Sequence, residues 1–196
     1  MARKLFEVGG VILGWIVANL LGVAVLGALI LFVPFVRSAS GRLATSLVIG
    51  LPIGIAQWIA LRRVAPISIL WVLTISAGLL VALVVGPILG GIFGGSLDDE
   101  SLLAMSASGA TIGLCVGLLQ WLFLQGHFSK SLVWPLGSAV GFGLGITLIL
   151  VTELIDRSGE ISAILVALVY ATATGSVVSW LRASHRKTER PLANAT

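Results

Sequence analysis

Charged residues are scarce in this sequence. They make up 10% of the 196 residues, against roughly 25% in an ordinary soluble domain, while 58% of the residues are hydrophobic. Apolar runs of about 20 residues recur along the chain, and that is the length needed to cross a hydrocarbon core about 30 Å thick. The composition therefore argues against a water-soluble enzyme or binding domain and indicates an integral membrane protein.

Cysteine and histidine are equally scarce. The single cysteine, Cys115, has no second thiol for a disulfide or an intrachain thiolate metal site, so we interpret it as a small packing residue. His127 and His185 lie among basic residues, and no group of His, Asp and Glu has metal-ligand spacing. The sequence also lacks a P-loop and a Gly-x-Ser-x-Gly elbow. We therefore expect a protein that is not an enzyme.

Ionisable side chains are missing from the centres of the apolar runs. Such residues mark proton relays and coupled transporters, and only Glu153 lies near the end of a run. The basic residues form short groups beside the runs instead of a continuous patch. This distribution reports membrane topology, so nucleic acid is not expected as a partner.

The apolar runs predict six transmembrane helices. Only helices and closed barrels satisfy the backbone in lipid, and the runs lack the alternating polarity of barrel strands. The predicted spans cover residues 9–36, 44–61, 67–93, 102–124, 131–152 and 161–181. Short breaks with turn-forming residues separate them. The sequence thus predicts an all-α polytopic protein with one bundle over residues 1–182 and a short basic cytoplasmic tail over residues 183–196.

The positions of the basic residues predict that both termini are cytoplasmic. Lys and Arg favour the cytoplasmic side of membrane proteins. This orientation places nine of the twelve there: Arg3, Lys4, Arg62, Arg63, Lys130, Arg182, Arg186, Lys187 and Arg190. A signal peptide has an apolar region of about 7 to 15 residues, which is much shorter than the first run. We therefore interpret the first run as a retained helix.

A repeated segment organises the chain. Residues 49–61 and 112–124 share the pattern Ile-Gly-Leu-x2-Gly-x2-Gln-Trp-x2-Leu at a constant offset of 63. A second pattern, Trp-x6-Gly, occurs in the first, third and fifth spans as Trp15 with Gly22, Trp71 with Gly78 and Trp134 with Gly141. We expect three tandem hairpins, at about residues 9–62, 67–125 and 131–182. Parallel repeats of this kind are related by a pseudo-threefold axis along the membrane normal.

The repeat also predicts helix-contact faces. Gly50, Gly54 and Gln57 fall at i, i+4 and i+7, so they share one face of a helix. Small residues let helices approach closely in lipid, and glutamine adds an interhelical hydrogen bond. Polar residues elsewhere in the spans, such as Asn19 and Thr174, have the same interpretation. The candidate residues for helix packing, or alternatively for lining a path, are Gly50, Gly54, Gln57, Gly113, Gly117, Gln120, Ser176 and Ser179.

All six tryptophans fall near the cytoplasmic ends of the predicted helices. Indole rings prefer the headgroup level, where the ring is buried and its N–H is hydrated. We therefore interpret these residues as a one-sided interfacial aromatic belt in preference to a ligand cage. The belt comprises Trp15, Trp58, Trp71, Trp121, Trp134 and Trp180.

The Gly-x2-Gln-Trp-x2-Leu helix followed by a Trp-x6-Gly helix resembles uncharacterised small multi-pass membrane proteins of bacteria, in which the same Gln-Trp helix recurs. The likeness extends from Ile49 to Gly141. It implies a location in the bacterial inner membrane, and it implies no activity and no named cofactor.

Two functions remain open from the sequence. The first is a non-catalytic accessory or scaffold protein, as a subunit of a larger membrane complex with lipid or pigment contacts. Its expected partners are the lipid bilayer and other membrane protein subunits. The alternative is a channel or facilitator for a small neutral solute, with Gln57, Gln120 and Ser179 around a central path.

Overall fold

The chain forms six α-helices in a computed structural model that describes residues 2–30, 39–92, 102–153 and 160–193. No strand occurs within these ranges. The helices are α1 (Ala2–Ile30), α2 (Ala39–Leu61), α3 (Val72–Ile92), α4 (Leu102–Leu124), α5 (Val133–Glu153) and α6 (Glu160–Ala193), and a 3-10 turn (Ile69–Trp71) precedes α3. The prediction of six helices is confirmed.

The last helix is longer than the predicted span. Residues 182–190 contain no glycine or proline and are rich in Arg, Lys, Ala and Glu, which favour a helix. Helix α6 therefore continues to Ala193, through most of the segment predicted as a separate tail.

Two of the helices are long and apolar enough to cross a membrane by length and composition, over Ser106–Leu124 and Ile164–Ser184. The other apolar helical segments with described side chains are shorter: Gly10–Val25, Ser46–Leu61, Ile69–Ala82 and Val133–Leu148.

The main helix contacts form a closed series. Each helix packs against the helices before and after it in the chain, and α1 also packs against α6. The turns after α2 and α4 have matching hydrogen bonds. Ala65 N donates to Leu61 O at 3.0 Å, and Phe128 N donates to Leu124 O at 3.0 Å. These two pairs are related by the offset of 63 that relates the repeated segments.

Glycines allow the closest approaches between helix backbones. A Cβ built on Gly22 would lie 2.7 Å from Ile53 Cα, between α1 and α2. One built on Gly78 would lie 2.6 Å from Val116 Cα, between α3 and α4. Real Cβ atoms do not approach a backbone atom this closely, so only glycine fits at these two helix contacts.

The interior of the bundle contains polar as well as apolar side chains, and large apolar side chains lie on its outer surface. On α5, Leu136, Val140 and Leu144 recur every fourth residue and are 62%, 56% and 54% exposed. Similar outward rows of Leu, Ile and Val occur on α1, α2 and α4. Among the residues with described side chains, ten polar ones are buried: Asn19, Ser46, Gln57, Thr74, Ser76, Gln120, Ser131, Ser138, Thr174 and Ser179. Water-soluble proteins show the opposite tendency, because they bury apolar side chains and expose polar ones.

Candidate functional site

Three tryptophans meet at the centre of the bundle. Trp15 of α1, Trp71 of the 3-10 turn and Trp134 of α5 are at most 2% exposed. The ring centroids of Trp15 and Trp134 lie 5.7 Å apart with the planes at 83°, and those of Trp71 and Trp134 lie 5.9 Å apart at 64°. Edge-to-face contacts of this kind are the favoured geometry for aromatic pairs. We refer to these residues as the central tryptophans.

The central tryptophans are more deeply buried than the predicted interfacial belt requires. A belt residue has its ring at the headgroup level, but these three rings pack against one another in the core. Proximity to a helix end along the chain did not distinguish the two cases, because the direction of a side chain depends on the rotation of its helix. Trp15, Trp71 and Trp134 therefore contact other protein groups, and their depth relative to the headgroups stays a prediction.

The other three tryptophans lie further out. Trp58 donates from Nε1 to Ile67 O at 3.1 Å, and Trp121 donates from Nε1 to Ser131 Oγ at 3.1 Å. Each of these bonds ties the end of a helix to the turn that follows it. Trp180 is 43% exposed.

Beside the central tryptophans, buried amides connect four helices. Trp134 Nε1 donates to Gln120 Oε1 at 2.9 Å, and Gln120 Nε2 donates to Gln57 Oε1 at 3.1 Å. Gln57 Nε2 then donates to Asn19 Oδ1 at 2.8 Å. The two glutamines are fully buried, so these bonds form out of contact with solvent. They connect α5, α4, α2 and α1.

The same series of hydrogen bonds continues into α6. Asn19 Nδ2 donates to Trp15 O at 2.9 Å, Trp15 Nε1 donates to Thr174 Oγ1 at 2.8 Å, and Thr174 Oγ1 donates to Tyr170 O at 2.7 Å. Six hydrogen bonds therefore run in one direction across five helices. We call this series the polar chain; its side chains belong to Trp134, Gln120, Gln57, Asn19, Trp15 and Thr174.

The glycines of the predicted packing faces lie at helix contacts. Gly50 and Gly54 pack against α3, and Gly113 and Gly117 pack against α5. A Cβ on Gly117 would lie 2.8 Å from Pro135 Cα. Because these glycines share faces with Gln57 and Gln120, the helices that carry the glutamines sit close to the helices that follow them.

Ser179, which the sequence groups with Gln57 and Gln120, is placed differently from the two glutamines. Ser179 is buried, and its Oγ has no hydrogen-bond partner among the described residues. Ser176 is exposed and donates to Thr172 O at 2.8 Å. The contact with a central tryptophan is made instead by Thr174, which the repeat pattern does not identify. In the sequence, Thr174 is distinguished only as a polar residue inside an apolar run.

Trp71 differs from the other two central tryptophans. It follows Gln57 by 14 residues, as Trp134 follows Gln120 by 14. Nevertheless Trp71 Nε1 has no hydrogen-bond partner among the described residues, because the Gln57 amide bonds to Asn19 and Gln120. The polar chain therefore bypasses α3.

Other buried polar atoms remain without a hydrogen bond in the described part of the chain. They include Ser76 Oγ, in addition to the Trp71 and Ser179 atoms, whereas the Tyr170 hydroxyl faces the side chains of Gln57 and Ser138. The Tyr170 ring packs on Phe142, with the ring centroids 4.5 Å apart. All these groups are neutral, and no group of three or more His, Cys, Asp or Glu that could hold a metal ion occurs among the residues described.

No family model, curated protein or solved structure matches this chain. Its function therefore has to follow from its own geometry. In that geometry, buried neutral side chains of different helices form hydrogen bonds to one another.

Proposed function

We propose that the protein is a six-span membrane protein with both termini in the cytoplasm. The outward rows of Leu, Ile and Val support this proposal, because lipid is the solvent that suits them. The shortest helices, α3 and α5, have 21 residues, or about 31 Å at 1.5 Å per residue. That length matches a hydrocarbon core of about 30 Å.

The three-hairpin arrangement is part of the same proposal. Its support is the set of matched features at an offset of 63: the turns after α2 and α4, and the bonded glutamine pair. The central tryptophans add one member from each proposed hairpin. The distribution of basic residues favours this orientation, and the resemblance to small bacterial membrane proteins implies a bacterial inner membrane.

Cysteine labelling tests the topology. In a Cys115→Ala background, Gly126→Cys lies in the exposed turn after α4, and Ser96→Cys lies in the segment between α3 and α4. We expect an impermeant maleimide to label Ser96→Cys in intact cells and Gly126→Cys only after permeabilisation. Labelling of both from the same side would contradict the six-span arrangement.

Within the membrane, we propose a non-catalytic role as an accessory or scaffold subunit. The observation that carries this proposal is the buried polar chain: Gln57 and Gln120 are fully buried and bond to each other, and Gln120 accepts from Trp134. Such side chains hold helices in a fixed arrangement, as polar residues do between membrane helices. A rigid bundle with an apolar exterior is suited to contacts with other membrane subunits.

Purification from the native membrane tests the scaffold proposal. The tagged protein is extracted in mild detergent, every retained protein is identified by mass spectrometry, and an absorbance spectrum detects bound pigment. We expect a partner subunit at constant stoichiometry. A single, monodisperse species without a partner would contradict the proposal.

The second candidate function is a channel or facilitator for a small neutral solute. The buried polar atoms without a hydrogen bond favour it, since Trp71 Nε1 and Ser179 Oγ offer interactions inside the bundle. A flux assay in liposomes distinguishes the two functions. A channel predicts solute flux that changes in a Gln57→Leu/Gln120→Leu variant, whereas a scaffold predicts no flux in either protein.

A further inference from the structure

A cleft opens at the end of the bundle that carries the short turns after α2 and α4. It has a volume of about 310 Å³ and lies between α1, α2 and α6. Its walls include Gly10, Gly14, Val64 and Val178, and its basic side chains are Arg63 and Arg182. We call it the head cleft.

The basic residues at this end divide into two pairs. Of the four Lys and Arg residues with described side chains, two lie over indole rings: Arg62 Cζ is 4.7 Å from the Trp58 ring centroid, and Lys130 Nζ is 5.4 Å from that of Trp180. The remaining two, Arg63 and Arg182, both line the head cleft. Two guanidinium groups on one cleft favour an anion, and guanidinium geometry suits phosphate in particular.

An apolar groove continues from the head cleft along α1 and α2. It has a volume of about 430 Å³ and shares Gly14, Ala60 and Arg63 with the head cleft. Its walls are otherwise apolar, and on α1 they extend to Val25. Residues 14–25 of a helix span about 16 Å. We call this the tail groove.

Two glycines leave the head cleft uncovered. A Cβ built on Gly10 or Gly14 would meet no atom within 4 Å, whereas one built on Gly22, about two turns beyond Gly14 along α1, meets the backbone of α2. Small residues on membrane helices commonly admit a neighbouring helix. At Gly10 and Gly14 no described helix takes that place, so the space is open to a ligand.

We propose that the head cleft and tail groove together bind one anionic phospholipid of the surrounding bilayer. Arg63 and Arg182 bind its phosphate, and one acyl chain lies along the tail groove. The cytoplasmic leaflet supplies such lipids, and basic residues near its surface attract them. The inference rests on the proposed membrane location, and it adds a ligand class and a site to the bundle.

Native mass spectrometry of the full-length protein tests the site. The protein is titrated in detergent with phosphatidylglycerol or phosphatidylcholine, and the bound lipid is counted. The variant Arg63→Gln/Arg182→Gln removes the proposed phosphate ligands. The control Arg62→Gln/Lys130→Gln removes the same charge from the two residues that lie over indole rings. A third variant, Gly14→Leu, fills the groove without a change in charge.

We expect the wild-type protein and the control variant to retain one phosphatidylglycerol and to prefer it to phosphatidylcholine. The Arg63→Gln/Arg182→Gln variant should bind phosphatidylglycerol roughly 25-fold more weakly, at about fivefold for each basic residue. Gly14→Leu should also lose the lipid. Glycerol phosphate should compete poorly, because it has no acyl chain.

Several outcomes would overturn the lipid site. The first is an equal loss of phosphatidylglycerol binding in the control variant. The others are equal binding of phosphatidylglycerol and phosphatidylcholine by the wild-type protein, and full competition by glycerol phosphate. Cysteine labelling of the Ser96→Cys and Gly126→Cys variants in intact cells separates this failure from failure of the proposed membrane topology. If the labelled sites lie on opposite sides of the membrane and binding does not depend on Arg63 and Arg182, only the lipid site is refuted.

Discussion

Gln120 donates from Nε2 to Gln57 Oε1 at 3.1 Å, and these residues occupy the same place in two segments that are 63 residues apart. A repeated residue thus bonds to its own counterpart. The bond joins α4 to α2, which are not neighbours in the main series of helix contacts. It therefore fixes the interior of the bundle across the helix that lies between them.

Replacement of Gln57 and Gln120 should show that their effects on the unfolding free energy are coupled. Gln120→Leu removes the acceptor of Trp134 Nε1 and the donor to Gln57, so it should destabilise the protein by about 1–3 kcal/mol. In a double-mutant cycle with Gln57→Leu, we expect a coupling energy of about 0.6 kcal/mol, and at most about 1.7 kcal/mol. Unfolding by SDS titration, followed by circular dichroism, measures both.

The matched control for this cycle is Gln125→Leu. Gln125 is exposed, and its side-chain Nε2 donates to Leu122 O at 3.3 Å. It should change the unfolding free energy little and show no coupling to Gln57→Leu. Additive effects of Gln57→Leu and Gln120→Leu would mean that the observed hydrogen bond contributes nothing.

The three central tryptophans should respond unequally to phenylalanine. All three substitutions remove ring volume, but only Trp15 and Trp134 lose a hydrogen bond, because Trp71 Nε1 has no partner among the described residues. Trp15→Phe and Trp134→Phe should therefore cost about 0.5–1.5 kcal/mol more than Trp71→Phe. The same SDS titration gives the differences. Equal costs at all three positions would show that packing alone determines them.

The hydroxyl of Thr174 should contribute to stability, although the repeat pattern does not identify this residue. Thr174→Val keeps the branched shape but leaves the buried Trp15 N–H without an acceptor, which should cost about 1–3 kcal/mol. Thr172→Val changes the same residue type on the exposed side of α6 and should cost much less. Thermal unfolding in detergent compares the two variants. A larger effect at Thr172 would argue against the bond between Trp15 and Thr174.

Glycine substitutions should separate crowded from open positions. Gly113→Ala brings a Cβ to 2.9 Å from Ala139 Cα, so α4 and α5 must move apart at a cost of about 1–3 kcal/mol. Gly10→Ala meets nothing and should leave stability unchanged or raise it by up to about 1 kcal/mol, since alanine favours helices. Comparison of the two unfolding free energies is the measurement. Tolerance of Gly113→Ala would indicate that α4 and α5 are not packed this closely.

Much of the architecture followed from local patterns. The predicted span 102–124 coincides with α4, and the predicted end of the second span coincides with the end of α2 at Leu61. These boundaries depend on the lengths of apolar runs and on turn residues, which a sequence displays directly. The Gly50 and Gly54 face was also predictable, because residues at i and i+4 share a helix face whatever the rest of the fold does.

The direction in which each helix face points could be determined only from the tertiary structure. Alignment on Trp180 predicts Ser179 as the counterpart of Gln57, but the partner of Trp15 lies five residues earlier, at Thr174. Five residues turn a helix about 140° beyond one full turn, so the two alternatives present different faces of α6. Packing against α1 and α5 selects one of them, and no residue within α6 specifies that choice alone.

The sequence by itself thus determined the number of helices, their approximate bounds and the glycines at their contacts, because helix formation and close approach depend on neighbouring residues. Only the tertiary structure placed Trp15, Trp71 and Trp134 in the core and linked Asn19 to the glutamines. Those features depend on how each helix is rotated about its own axis when the six helices pack together and α1 contacts α6. That rotation minimises the free energy of all the contacts together, and no single segment encodes it.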